Sequence, residues 1–229
     1  MTPLKVAIIG ANGRIGRLLV DSLKKDTAQF ATPLALVRNK EQQQRFIEEV
    51  GINASLTSIE FSSVAEIASA IKGYNAVVFC AGAGGKGMER IFTVDLDGCA
   101  KTLEACEQVG ISRFIVVSAI KAEDRSFWWD WTGLREYYIA KRAADHDVRN
   151  SKLDYTIVQP GSLADDASTG KLASVQEIDL KLAAGEITCN RADVALFIKE
   201  ALLHPKETNR KTVPLLNGDI PVEQFIKSL

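Results

Sequence analysis

Residues 10–16 read GANGRIG, set between the apolar run KVAII and the helical pattern GRLLVDSLKK. Few short segments restrict a fold so strongly. At that spacing Gly10 makes a tight turn after a strand, Gly13 lets a backbone approach a pyrophosphate, and Gly16 lets the next helix pack closely. The helix amino terminus then offers unpaired N–H groups and a positive dipole end to phosphate oxygens. Asn12, Arg14 and Ile15 complete the loop. A purely structural glycine turn is the competing reading, and the placement between a first strand and a first helix favours the phosphate cradle.

The rest of the chain repeats that alternation. PLALVR precedes KEQQQRFIEEV, NAVVFCAG precedes RIFTVDLDGCAKTLEACEQVG, RFIVVSA precedes LREYYIAKRAADHDVRNS, and DYTIVQPG comes before ADVALFIKEALLHP. Near-continuous apolar strands separated by amphipathic helices predict an α/β fold, a Rossmann-type doubly wound parallel sheet with helices on both faces. Gly73 and Gly110 each stand where a left-handed residue stops a helix. One NAD(P)-binding domain over residues 1–229 is expected. Residues 119–134 and 161–190 fit the alternation least and are read as substrate-side segments above the carboxyl ends of the strands.

Charge and composition narrow the partners. With 28 basic and 29 acidic residues the net charge is −1, which offers no footprint for nucleic acid or an anionic membrane. No run approaches the roughly 20 apolar residues of a membrane span, and the start lacks the pattern of a signal peptide. A soluble, cytoplasmic protein acting on a small molecule is expected, as monomer or homodimer. Four cysteines without CxxC spacing and two histidines predict no metal site, and Cys80 is read as a packing residue.

At the end of the second strand, where NAD-selective enzymes place an acidic residue, stands Arg38. A guanidinium there suits a 2′-phosphate and predicts NADP(H), with Arg14 as a candidate second cation. Either arginine is otherwise a solvated surface residue.

GANGRIG, VVFCAGAGG, VDLDGCAKTLEACEQVGISRFIVVSA, YYIAKRAAD and LDYTIVQPGSL, in that order, resemble the atypical short-chain dehydrogenase/reductases of the NmrA-like, NAD(P)-binding group. The resemblance runs from Val6 nearly to the C-terminus. It implies that Ala81 and Gly82 pass beside the cofactor riboses, that Glu60 and Phe61 lie near the adenine, and that Pro160, Gly161 and Ser162 pass the nicotinamide carboxamide. Tyr137 and Lys141 match the group's YxxxK pair. Tyr137 would then protonate a substrate carbonyl as hydride arrives, Lys141 would hold the ribose and lower the phenol's pKa, and Ser118 would orient the carbonyl oxygen. Asp95 stands where extended relatives carry an asparagine.

Spacing alone puts Tyr137 and Lys141 on one helix face and no more. The tryptophans of FWWDW, Trp128, Trp129 and Trp131, have two readings: core packing, or a wall that keeps water from the nicotinamide. Two functions follow. One is an NADPH-dependent oxidoreductase reducing a small aldehyde, ketone or quinone-like compound. The other is a non-catalytic NADP(H)-binding redox sensor.

Overall fold

The computed structural model describes residues 2–85 and 87–229. β1 (Val6–Ile9) leads through the glycine turn into α1 (Arg14–Lys25), and β2 (Leu34–Val37), α2 (Lys40–Arg45) and β3 (Asn53–Leu56) follow. Next come α3 (Val64–Ile71), β4 (Ala76–Phe79), the single turn α4 (Met88–Arg90), a π-helical turn at Ile91–Leu96, α5 (Asp97–Val109) and β5 (Arg113–Val117). The short α6 (Arg125–Trp128) and the long α7 (Arg135–Asn150) precede β6 (Asp154–Pro160). Small elements then intervene: β7 (Ser162–Ala164), β8 (Lys171–Leu172), α8 (Ile178–Ala183) and β9 (Thr188–Asn190). The chain closes with α9 (Arg191–Leu203), α10 (Pro205–Thr208), β10 (Lys211–Leu215), β11 (Ile220–Pro221) and α11 (Val222–Lys227).

Seven strands form one parallel sheet in the order β10-β6-β5-β4-β1-β2-β3. The expected Rossmann-type architecture is present. β1, β2, β4 and β5 are buried along their whole length, which is why they read as unbroken apolar runs. The sheet also has two edge strands that apolar runs do not announce. β3 reads Asn-Ala-Ser-Leu and is partly exposed, while β10 carries Pro214, a residue that only an edge tolerates.

Apolar side chains of α1, α9 and α11, including Leu19, Leu23, Val194, Phe197 and Phe225, cover one face of the sheet. Those of α3, α5 and α7, including Ile67, Leu103, Ala144 and Val148, cover the other. Local signals set the helix ends. Ser63 and Glu66 form a reciprocal capping box at the start of α3, and Gly110, in the left-handed region at φ 74°, ends α5.

Strand order reverses between β1 and β4, so the loops after these neighbours open a crevice at their carboxyl ends. Backbones touch there. A Cβ on Gly10 would lie 2.6 Å from the Ala81 nitrogen, and one on Gly16 would lie 2.4 Å from the Gly10 carbonyl oxygen. Segment 161–190 folds over this end through the β7–β9 pair, with α8 projecting from it.

The opposing atoms at Gly16 are backbone and cannot rotate away. Gly16→Ala is therefore expected to cost about 1–3 kcal/mol by overpacking. Chemical denaturation would show the loss, and thermal shift would show weaker stabilisation by nucleotide.

Candidate active site

The amino end of α1 fits a pyrophosphate. Gly13 is its N-cap, no side chain caps it, and no acidic residue stands in its first turn. Its leading N–H groups and dipole therefore lack a side-chain anion. Gly10 takes φ 78°, a conformation that side-chain-bearing residues rarely adopt. The Asn12 carboxamide oxygen accepts from Arg17 Nη2 at 2.8 Å and from Arg45 Nη1 at 3.2 Å. Two guanidiniums thus converge on one neutral acceptor beside the loop.

Arg38 follows β2, the strand beside β1, and is exposed. Arg14 is engaged elsewhere: its guanidinium pairs with Asp165 Oδ2 at 2.6 Å, and Arg191 holds the other oxygen of Asp165 at 2.8 Å. Asp165 thus clasps segment 161–190 to the glycine loop at the start of α1 and to α9. Glu60 is tied to Arg90 at 2.9 and 3.1 Å, and Arg90 also reaches the Ala83 carbonyl at 3.4 Å. Phe61 is 89% exposed and packs in neither of the two main cores.

α7 carries a polar stripe on an otherwise core-facing helix. Tyr137, Lys141 and Asp145 follow at intervals of four and share one face. Lys141 is buried; its Nζ donates to the Val117 carbonyl at 3.0 Å and pairs with Asp95 Oδ1 at 2.9 Å. The other oxygen of Asp95 accepts the Ala83 N–H at 2.7 Å. One carboxylate therefore joins the loop after β4, the π-helical turn and α7. Lys141 Nζ lies 5.6 Å from the Tyr137 ring centroid.

Burial works against the charge of Lys141, yet Asp95, Tyr137 and Asp145 together raise its pKa above the ordinary lysine value. For Tyr137 the balance runs opposite to the sequence expectation. Burial pushes the phenol up and Lys141 pulls it down, but Asp95 and Asp145 push it up again, and it stays above the ordinary tyrosine value. The lysine acts in the expected direction without prevailing, because burial of the phenol outweighs it and the carboxylates of Asp95 and Asp145 offset its field further.

Ser118 ends up in a different arrangement from the one expected for a carbonyl-orienting serine. Buried at the end of β5, its Oγ donates to Asp145 Oδ2 at 2.8 Å. Gln159 of β6 donates to the same oxygen at 3.0 Å and to both oxygens of Glu123 at 3.0 and 3.1 Å. Arg149 pairs with Glu123 as well. Among the described residues no hydrogen bond joins Tyr137 to Ser118. Asp145 is fully buried, and burial lifts it to about 6, against the lowering effect of Ser118, Gln159 and Lys141.

The three tryptophans differ in burial. Trp128 is fully buried, donates its indole N–H to the Ala122 carbonyl at 3.1 Å and stacks on Tyr138. Trp131 and Phe127 are partly buried in the same cluster as Tyr137, while Trp129 is largely exposed under the Arg135 guanidinium. Of the remaining positions, Pro160 ends β6, and Ser162 opens β7 by donating its N–H to the Ile187 carbonyl at 2.7 Å. Gly161 has no room for a Cβ, which would lie 2.1 Å from the Ile187 oxygen. Burial pushes the Cys80 thiol up to about 12, which disfavours the nucleophilic thiolate.

Asp145, Arg17, Arg45 and Asp165 were not singled out from sequence, and Gln159 only as the first residue of QPGSL, the segment 159–163 expected to pass the nicotinamide. Two of them left a signal: Asp145 continues the Tyr137/Lys141 stripe, and Gln159 is a polar residue inside an apolar strand. The others meet their partners only through the fold.

The pattern of the NAD(P)H-binding family matches residues 10–205. The chain belongs to that family. Within this NAD(P)-binding, NmrA-like group it is 60% identical to the Saccharomyces cerevisiae protein YMR090W over the whole length of both. It is similar to a putative NAD-dependent epimerase/dehydratase of Bacillus halodurans, 33% identical with a TM-score of 0.83, covering 99% of this chain and 100% of that one. The oxidoreductase ylbE of Lactococcus lactis is 29% identical, also with a TM-score of 0.83, covering 99% of this chain and 96% of that one. The family and the glycine loop agree on a nicotinamide dinucleotide ligand. No helix among the described residues is long and apolar enough to cross a membrane.

A native carboxyl at about 6 retains a proton that the unfolded chain, near 4, has released. Its contribution to stability is therefore greatest below pH 4 and declines as pH rises to about 6, by on the order of 2–3 kcal/mol. Urea unfolding of the native chain and of Asp145→Asn across pH 4–7 should show this falling component only in the native chain.

Proposed function

We propose that the protein is an NADPH-dependent oxidoreductase that reduces a small aldehyde, ketone or quinone-like compound, with Tyr137 as proton donor and Lys141 as ribose-holding residue. The observation that carries this reading is the position of Tyr137. It lies one helical turn from a buried lysine that is linked through Asp95 to the Ala83 N–H of the loop after β4. A bound reduced nicotinamide supplies the hydride. Lys141 already spends donors on Val117 and Asp95, and a third N–H remains for a ribose hydroxyl. Ala81, Gly82 and the Pro160–Ser162 turn are the proposed borders of the cofactor, and Trp131 and Phe127 the proposed apolar wall that limits water.

Selectivity for NADPH is supported by Arg38, with Arg17 and Arg45 gathered on Asn12. An anion between such groups relieves their mutual repulsion, and a 2′-phosphate offers the charge and the acceptors. Arg14, held by Asp165, is assigned no part in this contact. Calorimetric titration should show the double variant Arg38→Ala/Arg45→Ala losing tenfold or more in NADPH affinity while NADH binding changes little. Equal losses for both nucleotides would refute the assignment.

Across a panel of carbonyl compounds, Tyr137→Phe should lower kcat at least a hundredfold with little change in NADPH affinity, since general acid catalysis contributes about 10²–10⁴. Full turnover by that variant would remove Tyr137 from the chemistry. The engagement of Ser118 by Asp145 favours a second reading, a nucleotide-binding redox sensor, because the expected carbonyl-orienting hydroxyl is spent. That reading requires NADPH and NADP⁺ to bind with different affinities, together with no turnover on any carbonyl.

A further inference from the structure

We propose that Asp95 is a positioning residue that neutralises Lys141 beneath Tyr137, so that Tyr137 rests protonated, the form that gives its proton to a carbonyl oxygen. The proposal rests on the reductive reading above and adds to it the group that sets the resting state of its acid.

Geometry carries the argument. Asp95 is almost wholly buried, within the π-helical turn Ile91–Leu96, a local widening that places residues where a regular helix would not. Its carboxylate is held at both oxygens, by the Ala83 N–H at 2.7 Å and by Lys141 Nζ at 2.9 Å. Gly82 makes room for it: a Cβ there would lie 3.2 Å from Asp95 Oδ1. An ammonium and a carboxylate in contact act on a third group almost as a dipole, whose field falls off faster than that of a lone charge.

Among the described residues, the charged groups that act on Tyr137 are Lys141 and Asp145 from its own helix and Asp95 from the π-helical turn. Two carboxylates thus oppose one ammonium, and burial disfavours the phenolate further. The elevated phenol agrees with this arrangement.

The consequence concerns the resting state of the acid. In reduction, hydride adds to the carbonyl carbon, the C=O π pair moves to oxygen, and that oxygen takes the Tyr137 proton. The phenolate then recovers a proton from solvent, so one proton is consumed for each hydride transferred. Oxidation or proton abstraction would need the phenolate first. Even an ordinary phenol titrating near ~10 supplies only about one part in a thousand at pH 7, and this one supplies less.

Ultraviolet titration of tyrosinate tests the point without substrate or nucleotide. Subtracting the matching Tyr137→Phe curve isolates Tyr137 from Tyr74, Tyr138 and Tyr155. In the native chain its midpoint should lie above the ordinary ~10. Asp95→Asn, which keeps an acceptor for the Ala83 N–H, should lower it by about one unit or more, a tenfold gain in phenolate. Adding Lys141→Met should cancel that drop. A native midpoint below the ordinary value, or no downward shift in Asp95→Asn, would overturn the proposal, and the first measurement needs no variant at position 95. Turnover is scored separately: a chain that reduces no carbonyl refutes the reductive reading, whereas the titration judges Asp95.

Discussion

The close approach of two backbones, the loops after β1 and β4, is the constraint on which the rest of the structure depends. Gly10 and Gly16 leave no space for side chains against Ala81 and each other, so α1 is drawn down onto the sheet and its amino end opens over the crevice. Everything proposed for nucleotide binding follows from that placement. A helix dipole acts only within its first turn, and a pyrophosphate must come that close to feel it.

A second set of interactions lies inside the protein and is electrostatic. Lys141, Asp95, Asp145, Ser118 and Gln159 are all buried between α7 and the carboxyl ends of β5 and β6. Burying such groups is costly unless they are paired and hydrogen-bonded, and replacing a buried pair by apolar residues is often neutral or stabilising. Two neighbouring buried polar sets under the crevice, Lys141–Asp95 and Asp145–Ser118–Gln159, are therefore poorly explained by stability alone. Lys141 and Asp145 share a helix face with Tyr137, and the Asp95 carboxylate paired with Lys141 opposes the lysine's pull on the phenol.

Much of the fold was legible in the sequence because its signals are local. Each of the four fully buried strands is an apolar run, and each helix they connect carries a periodic apolar stripe with Gly, Ser or Asn near its ends. The edge strands were less legible: β3 is partly polar and β10 contains a proline, and both are recognisable mainly from the neighbour they pair with. Residues 161–190 were legible only as an irregularity, since β7, β8, α8 and β9 are each too short to leave a period.

For the site, the sequence by itself determined the phosphate loop, the strand-end position of Arg38 and the shared face of Tyr137, Lys141 and Asp145, because glycine geometry and helical spacing are properties of a few consecutive residues. Only the tertiary structure decided which polar groups pair. It gave Ser118 to Asp145, Arg14 to Asp165, and Asp95 to Lys141 and the Ala83 N–H. These partners lie on separate elements, and a short-range ion pair or hydrogen bond exists only after packing has brought its atoms within about 3 Å. The acidity of Tyr137 was settled at that stage too, since it depends on the sum of burial and three neighbouring charges rather than on the lysine one turn away.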